Sequence, residues 1–201
     1  MTGEIYENRR LEAQDFIAKL TQLRDDNDRR EMASLKRNAG NMLSEARGVG
    51  WFYRLLDADG RQNSDIYFLV ATLWALDPRG AKGNFGHTCH EFWKKKSPNH
   101  PEKEKVNSAI ARRFNILLDA DIAGGELAFR LRQFVKLLAS QEIGIDWVQF
   151  VLDVRMWSYQ GKHVQRDWAQ SFYAPHFAED TDVVMLSAEG AEKEKGESHV
   201  D

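Results

Sequence analysis

His87, Cys89, His90 and His100 are the residues whose types could bind a metal or move a proton. A structural zinc site needs four ligands at workable spacing, but three of these crowd into positions 87–90 and there is no second cysteine to complete a set. Asp57-Ala58-Asp59-Gly60 has the start of a calcium loop, yet the twelfth position, which should be acidic, is Phe68. The glycines at 80, 83 and 86 match neither phosphate-cradling glycine motif, and no strand precedes them. Asp119 and Asp121 fall at a helix end, where aspartate is ordinary turn chemistry. No Ser-His-Asp or Cys-His set follows from spacing. The residues call for no metal, cofactor or small-molecule substrate.

What remains is positive charge on helical faces. Lys36 and Arg37 lie in a short predicted helix and Arg54 within an apolar turn. Arg112 and Arg113 fall off the stripe made by Val106, Ile110, Phe114, Leu117 and Leu118. Arg132 and Lys136 are one helical turn apart, with Arg130 nearby. Arg155 sits on the next helix, and Lys162 and Arg166 flank the start of the last. Cations on rigid helices suit phosphate backbones, although each alone is also what a solvated surface looks like.

The elements that carry these residues are helical throughout. Apolar periodicity predicts helices over 11–23, 31–39, 102–119, 126–140, 147–158 and 163–173, with a further helix after Asn63. The charged stretch 24–31 reads as a turn. Asp146 is a predicted N-cap, and 51–56 reads as a buried helical turn. The tryptophans at 147, 157 and 168 belong to apolar stripes and are expected in the core. The fold class is therefore all-α, with an N-terminal helical subdomain over 1–76 and an antiparallel four-helix bundle over 102–175. Between them, 77–101 holds three of the four prolines and three glycines and reads as a long loop. The last 26 residues carry eight acidic and two basic side chains, so 176–201 is expected to be a disordered acidic tail. It conceals that the remainder is mildly basic, at +3, under an overall charge of −3. One cysteine, no membrane-length apolar run and no signal-like N-terminus predict a cytoplasmic protein.

Taken in order, Arg112–Asp121, Leu131–Leu138, Ile145–Trp157 and Arg166–Tyr173 resemble the CasB family, the small subunit of the type I-E CRISPR surveillance complex Cascade. Leu35-Lys36-Arg37 and Phe52–Leu56 add weaker matches, and the resemblance runs from about residue 10 to 173. It implies an all-helical, non-enzymatic subunit, present as two copies. The implied partners are the backbone subunits, the large subunit, guide RNA and target DNA, with no membrane. The implied role is antiviral defence, in which basic side chains hold opened DNA and stabilise the R-loop. Lys36, Arg37, Arg112, Arg113, Arg132 and Lys162 match basic positions of the family. Ile122 and Gln133 stand where relatives often carry a cation, leaving Arg130 or Lys136 to supply that charge. Two alternatives stay open: a helical adaptor that touches only proteins, and an enzyme using the loop histidines.

Overall fold

The structure is a computed structural model describing residues 3–26, 28–96 and 108–174. Nine α-helices are found among them: α1 (Gly3–Asp25), α2 (Arg29–Arg37), α3 (Ala58–Gln62), α4 (Ser64–Trp74), α5 (Phe85–Lys96), α6 (Ala109–Leu118), α7 (Glu126–Ala139), α8 (Trp147–Arg155) and α9 (His163–Tyr173). Short 3-10 turns cover Leu43–Glu45, Gly50–Arg54 and Ala123–Gly125. The described residues contain no strand, only a bridge between Gly80 and Ile145. The all-α expectation holds.

Local chemistry explains where helices begin. The Asp28 carboxylate accepts the Glu31 N–H at 3.3 Å, Ser108 Oγ accepts Ala111 N–H at 3.1 Å, and Asp146 Oδ1 accepts Gln149 N–H at 3.0 Å. Each satisfies a donor that the first turn leaves orphaned. The Asp146 cap is the one the sequence predicts. Asn63 stands at the N-cap of α4 without a capping side-chain bond. Asp57, the first residue of the calcium-like string, accepts the Gly60 N–H at 2.7 Å and starts α3.

The segment 77–101 requires correction, because it is not one long loop. Phe85, Cys89 and Phe92 recur at helical spacing and, with Trp93, are buried along α5. Pro78 precedes this helix, while Pro98 and Pro101 come after it and lie outside the described residues. The prolines flank the helix instead of breaking it. The residues ahead of α5 are tied down as well. Arg79 forms two 2.8 Å bonds with Asp77 and a 2.9 Å bond to the Ala139 carbonyl at the end of α7. The Arg79 carbonyl in turn accepts from Trp147 Nε1 at 3.1 Å.

One apolar core runs from Ala13 on α1 to Phe172 on α9 and draws on every α-helix but the short α3. The main neighbour of α9 is α5, and α8 packs against both α1 and α4. The last four helices therefore close their core together with α1, α4 and α5, not by themselves. Trp147, Trp157 and Trp168 are buried as expected, Trp168 ring-to-ring with Phe85 at 4.9 Å. Val106, His100, the first turns of the predicted helix 102–119 and the segment 176–201 lie outside the described residues.

Candidate nucleic-acid interface

Helix α2 and the 3-10 turn Gly50–Arg54 form the walls of a groove of about 640 Å³. Four arginines line it: Arg30 and Arg37 from α2, Arg47 from the connection, and Arg54 from the 3-10 turn. The two acids present are already engaged. Glu31 bonds Arg54 at 2.7 Å, and Asp28 caps α2. Arg30, Arg37 and Arg47 are exposed and make no ion pair among the described residues. Trp51, half-buried on the edge of Phe52 at 6.1 Å, supplies an aromatic wall. A groove with surplus guanidinium groups and one indole can bind phosphates and stack a base without reading sequence.

Of the predicted site residues, Arg37 and Arg54 meet in this groove. Lys36 is exposed beside it on α2 and does not line it. Sequence reasoning missed Arg30 and Arg47. Arg30 belongs to the charged stretch that reads as a turn, but α2 begins at Arg29. That start puts Arg30 and Arg37 two turns apart on one face, with Ser34 between them. The signal available was the Asp28-to-Glu31 capping pattern ahead of Met32 and Leu35.

Other cations occupy separate surfaces. Arg112 and Arg113 are exposed on α6 beside Ile116, itself 44% exposed. On α7, Lys136 is exposed, while Arg130 is half-buried, pairs with Glu126 at 3.3 Å and lies over the Phe129 ring. Arg132 is also half-buried, its stem laid across Gly40 just past α2, where a Cβ would come within 2.8 Å of Arg132 Cδ. Gly40 has φ +80, so only glycine accommodates both the turn and this approach. Lys162 and Arg166 are exposed at the start of α9, Lys162 in a left-handed conformation with φ 45.

Arg155 does not belong to this set. Its side chain is only 7% exposed, 3.7 Å from Glu12 and 3.4 Å from the Tyr67 hydroxyl, with its guanidinium over the Tyr67 ring. It is an internal tie between α1, α4 and α8.

The central residues with metal or nucleophile chemistry are dispersed. Cys89 is fully buried, and burial pushes its thiol well above its ordinary pKa. The buried His90 ring meets the Phe172 carbonyl at 3.0 Å, whereas His87 is exposed on α5. Among the described residues no three His, Cys, Asp or Glu side chains gather as a metal site. No helix of these residues is long and apolar enough to cross a membrane.

One apolar core thus carries an arginine groove and further cations on separate helices. Comparison with known proteins makes the class specific. The model of the CRISPR-associated protein Cse2 family matches residues 31–173, and the chain belongs to that family. A Cse2 protein of Thermus thermophilus is 33% identical over 128 residues, covering 63% of this chain and 67% of the relative. A crystal structure of a Cse2-family protein from Thermus thermophilus superimposes with a TM-score of 0.62 at 27% identity, over 80% of this chain and 97% of that one. CasB from M. ruber gives 0.60 at 26% identity, over 84% and 97%. A chain of a CRISPR RNA-guided surveillance complex shares the fold, with a TM-score of 0.63 at 18% identity over 90% and 99%.

Proposed function

We propose that this chain is a non-catalytic small subunit of a type I-E, RNA-guided surveillance complex in the cytoplasm. In that complex it binds nucleic-acid backbone, steadies opened target DNA and touches the backbone and large subunits and a second copy of itself. The observation that carries this reading is the groove of Arg30, Arg37, Arg47 and Arg54, where cations exceed acids and both acids are engaged. Family membership supplies the setting. The name of a structural neighbour, a CRISPR RNA-guided surveillance complex, is consistent with it.

The physics fits an auxiliary subunit. Replacing a DNA duplex by an RNA–DNA heteroduplex is nearly balanced, so modest backbone contacts decide whether the opened state persists. Phosphate contacts of this kind are independent of sequence and sensitive to salt. The groove and the α6 and α7 surfaces offer such contacts on rigid helices, with Trp51 available for stacking.

Arg37→Glu combined with Arg112→Glu and Arg113→Glu tests the reading in the assembled complex. Target-DNA retention should fall by about tenfold or more at moderate salt, with the difference shrinking as salt rises. Subunit stoichiometry should be unchanged. Unchanged retention with intact assembly would leave the protein-only adaptor as the correct reading.

A further inference from the structure

An acid among surplus arginines works against the binding of anions, and Glu31 is such an acid. It follows Arg30 on α2, with its N–H held by the Asp28 carboxylate at 3.3 Å. Its side chain is 15% exposed, against 70% for Arg54 on the facing wall. Glu31 Oε1 stands 2.7 Å from Arg54 Nη2, the separation at which a phosphate oxygen meets a guanidinium. Arg54 is held a second time, by Nε donating to the Trp51 carbonyl at 3.3 Å. Its guanidinium is thus fixed between α2 and the 3-10 turn, with a carboxylate in its anion position. Arg30, Arg37 and Arg47 make no ion pair among the described residues. An ion pair this exposed on its cationic side contributes little to stability, so the fold alone does not account for it.

We propose that Glu31 is an internal phosphate mimic that holds Arg54 in reserve. Arg30, Arg37 and Arg47 meet a phosphate backbone at once, and Arg54 joins them only when a phosphate displaces Glu31. The inference rests on the nucleic-acid reading of the groove and adds a means of setting its affinity. After the exchange Arg54 still makes one charge-assisted contact, but Glu31 is left without its partner beside a phosphate. The exchange therefore runs uphill for a strand that touches the groove alone. A strand anchored elsewhere in the assembled complex reaches the groove at high effective concentration and completes it. The guard weakens the hold on stray nucleic acid more than the hold on a strand already in place.

Two measurements test the guard. In the full chain without nucleic acid, the Arg54 Nε–H signal should exchange with water slowly in the parent and faster in the isosteric Glu31→Gln. Equal exchange in both overturns the pair itself. In the assembled complex, with fluorescent target DNA as the probe, Glu31→Gln should bind about three- to tenfold more tightly at moderate salt. Its slope of log affinity against log salt should steepen by about 0.7–0.9, the value of one added phosphate contact. Unchanged binding overturns the guard, and weaker binding makes Glu31 a residue that positions the groove walls instead. Glu31→Gln with Arg54→Gln removes a neutral pair and should return affinity and slope to those of the parent. A gain that survives without Arg54 overturns the proposal. Asp28→Asn removes the other groove acid, still caps α2 and leaves the pair intact, so it should gain less than Glu31→Gln. An equal gain there assigns the effect to the groove's charge at large and overturns the guard. The Arg37→Glu, Arg112→Glu, Arg113→Glu complex is measured beside these. Loss of DNA there with no gain in Glu31→Gln overturns the guard and leaves the nucleic-acid reading standing, whereas no change in either overturns both.

Discussion

Arg155 and Arg112 are the same residue type on different helices, and packing gives them opposite surroundings. The sequence held a clue. Arg155 falls one turn after Val151 and two after Trp147, on the edge of the row that α8 buries. What it could not show is that α1 and α4 cover this edge with Glu12 and Tyr67. Arg155→Ala should destabilise the protein by about 2–4 kcal/mol, because it strands a partly buried carboxylate. Chemical denaturation measures this, and a change within about 0.5 kcal/mol, the scatter for surface sites, would refute the internal tie. The same helix carries a buried acid that the sequence did not single out. Asp153 accepts from Trp168 Nε1 at 2.6 Å and from Gln149 Nε2 at 2.8 Å. Burial outweighs these bonds, and with help from the charges of Asp167 and Asp146 it raises the Asp153 pKa from 3.8 to about 6. Between those values the folded chain keeps a proton that the unfolded chain has lost. This contribution to stability therefore declines as pH rises from about 4 to about 6 and is level above that. Unfolding free energies measured from pH 4 to 7 should show the decline in the parent and lose it in Asp153→Asn, by on the order of 3 kcal/mol at most. An identical profile in both proteins would place the titration elsewhere.

At the scale of elements, periodicity exposed most of the helices, the five-residue α3 was too short to show a stripe, and composition hid α5. The boundaries of α9 match those predicted, and α7 and α8 differ from prediction at one end only, because their apolar stripes are long and undiluted. The α5 stripe is as regular, but it sits among prolines and glycines whose usual meaning is a loop. One of those glycines is a packing device and not a break. A Cβ on Gly86 would overlap the Trp168 carbonyl oxygen and lie 2.6 Å from its carbon, so α5 and α9 meet backbone to backbone. Gly→Ala within a helix ordinarily adds about 0.5–1 kcal/mol of stability. Gly86→Ala should do the reverse, with a loss of about 1–3 kcal/mol from overpacking. Gly50→Ala is the control, since nothing lies within 4 Å of its Cβ position. Thermal unfolding of the two variants decides the matter, and a Gly86→Ala protein as stable as the parent would mean that α5 does not pack on α9 in this way.

For the whole molecule, the helices share one core, and the surface cations are grouped by which helix ends converge. That grouping was not legible in the sequence: Arg30, Arg47 and Arg54 become neighbours only once α2 and the 3-10 turn Gly50–Arg54 fold together as the walls of one groove. Their joint effect is collective and measurable. If the groove holds phosphates, each lost contact lowers the slope of log affinity against log salt by about 0.9 for duplex DNA and about 0.7 for single strands. Arg30→Ala with Arg47→Ala in the assembled complex should therefore flatten the slope by about 1.5, independent of target sequence. Arg54→Ala should change it less, because Glu31 already neutralises that guanidinium at 2.7 Å. Trp51→Ala should leave the slope nearly unchanged and weaken single-stranded binding by about 1–3 kcal/mol, as loss of a stacked base would. The two effects separate charge from stacking in one groove. A slope that survives the double arginine variant would move the phosphate contacts to α6 and α7 and leave the groove without a role in nucleic-acid binding.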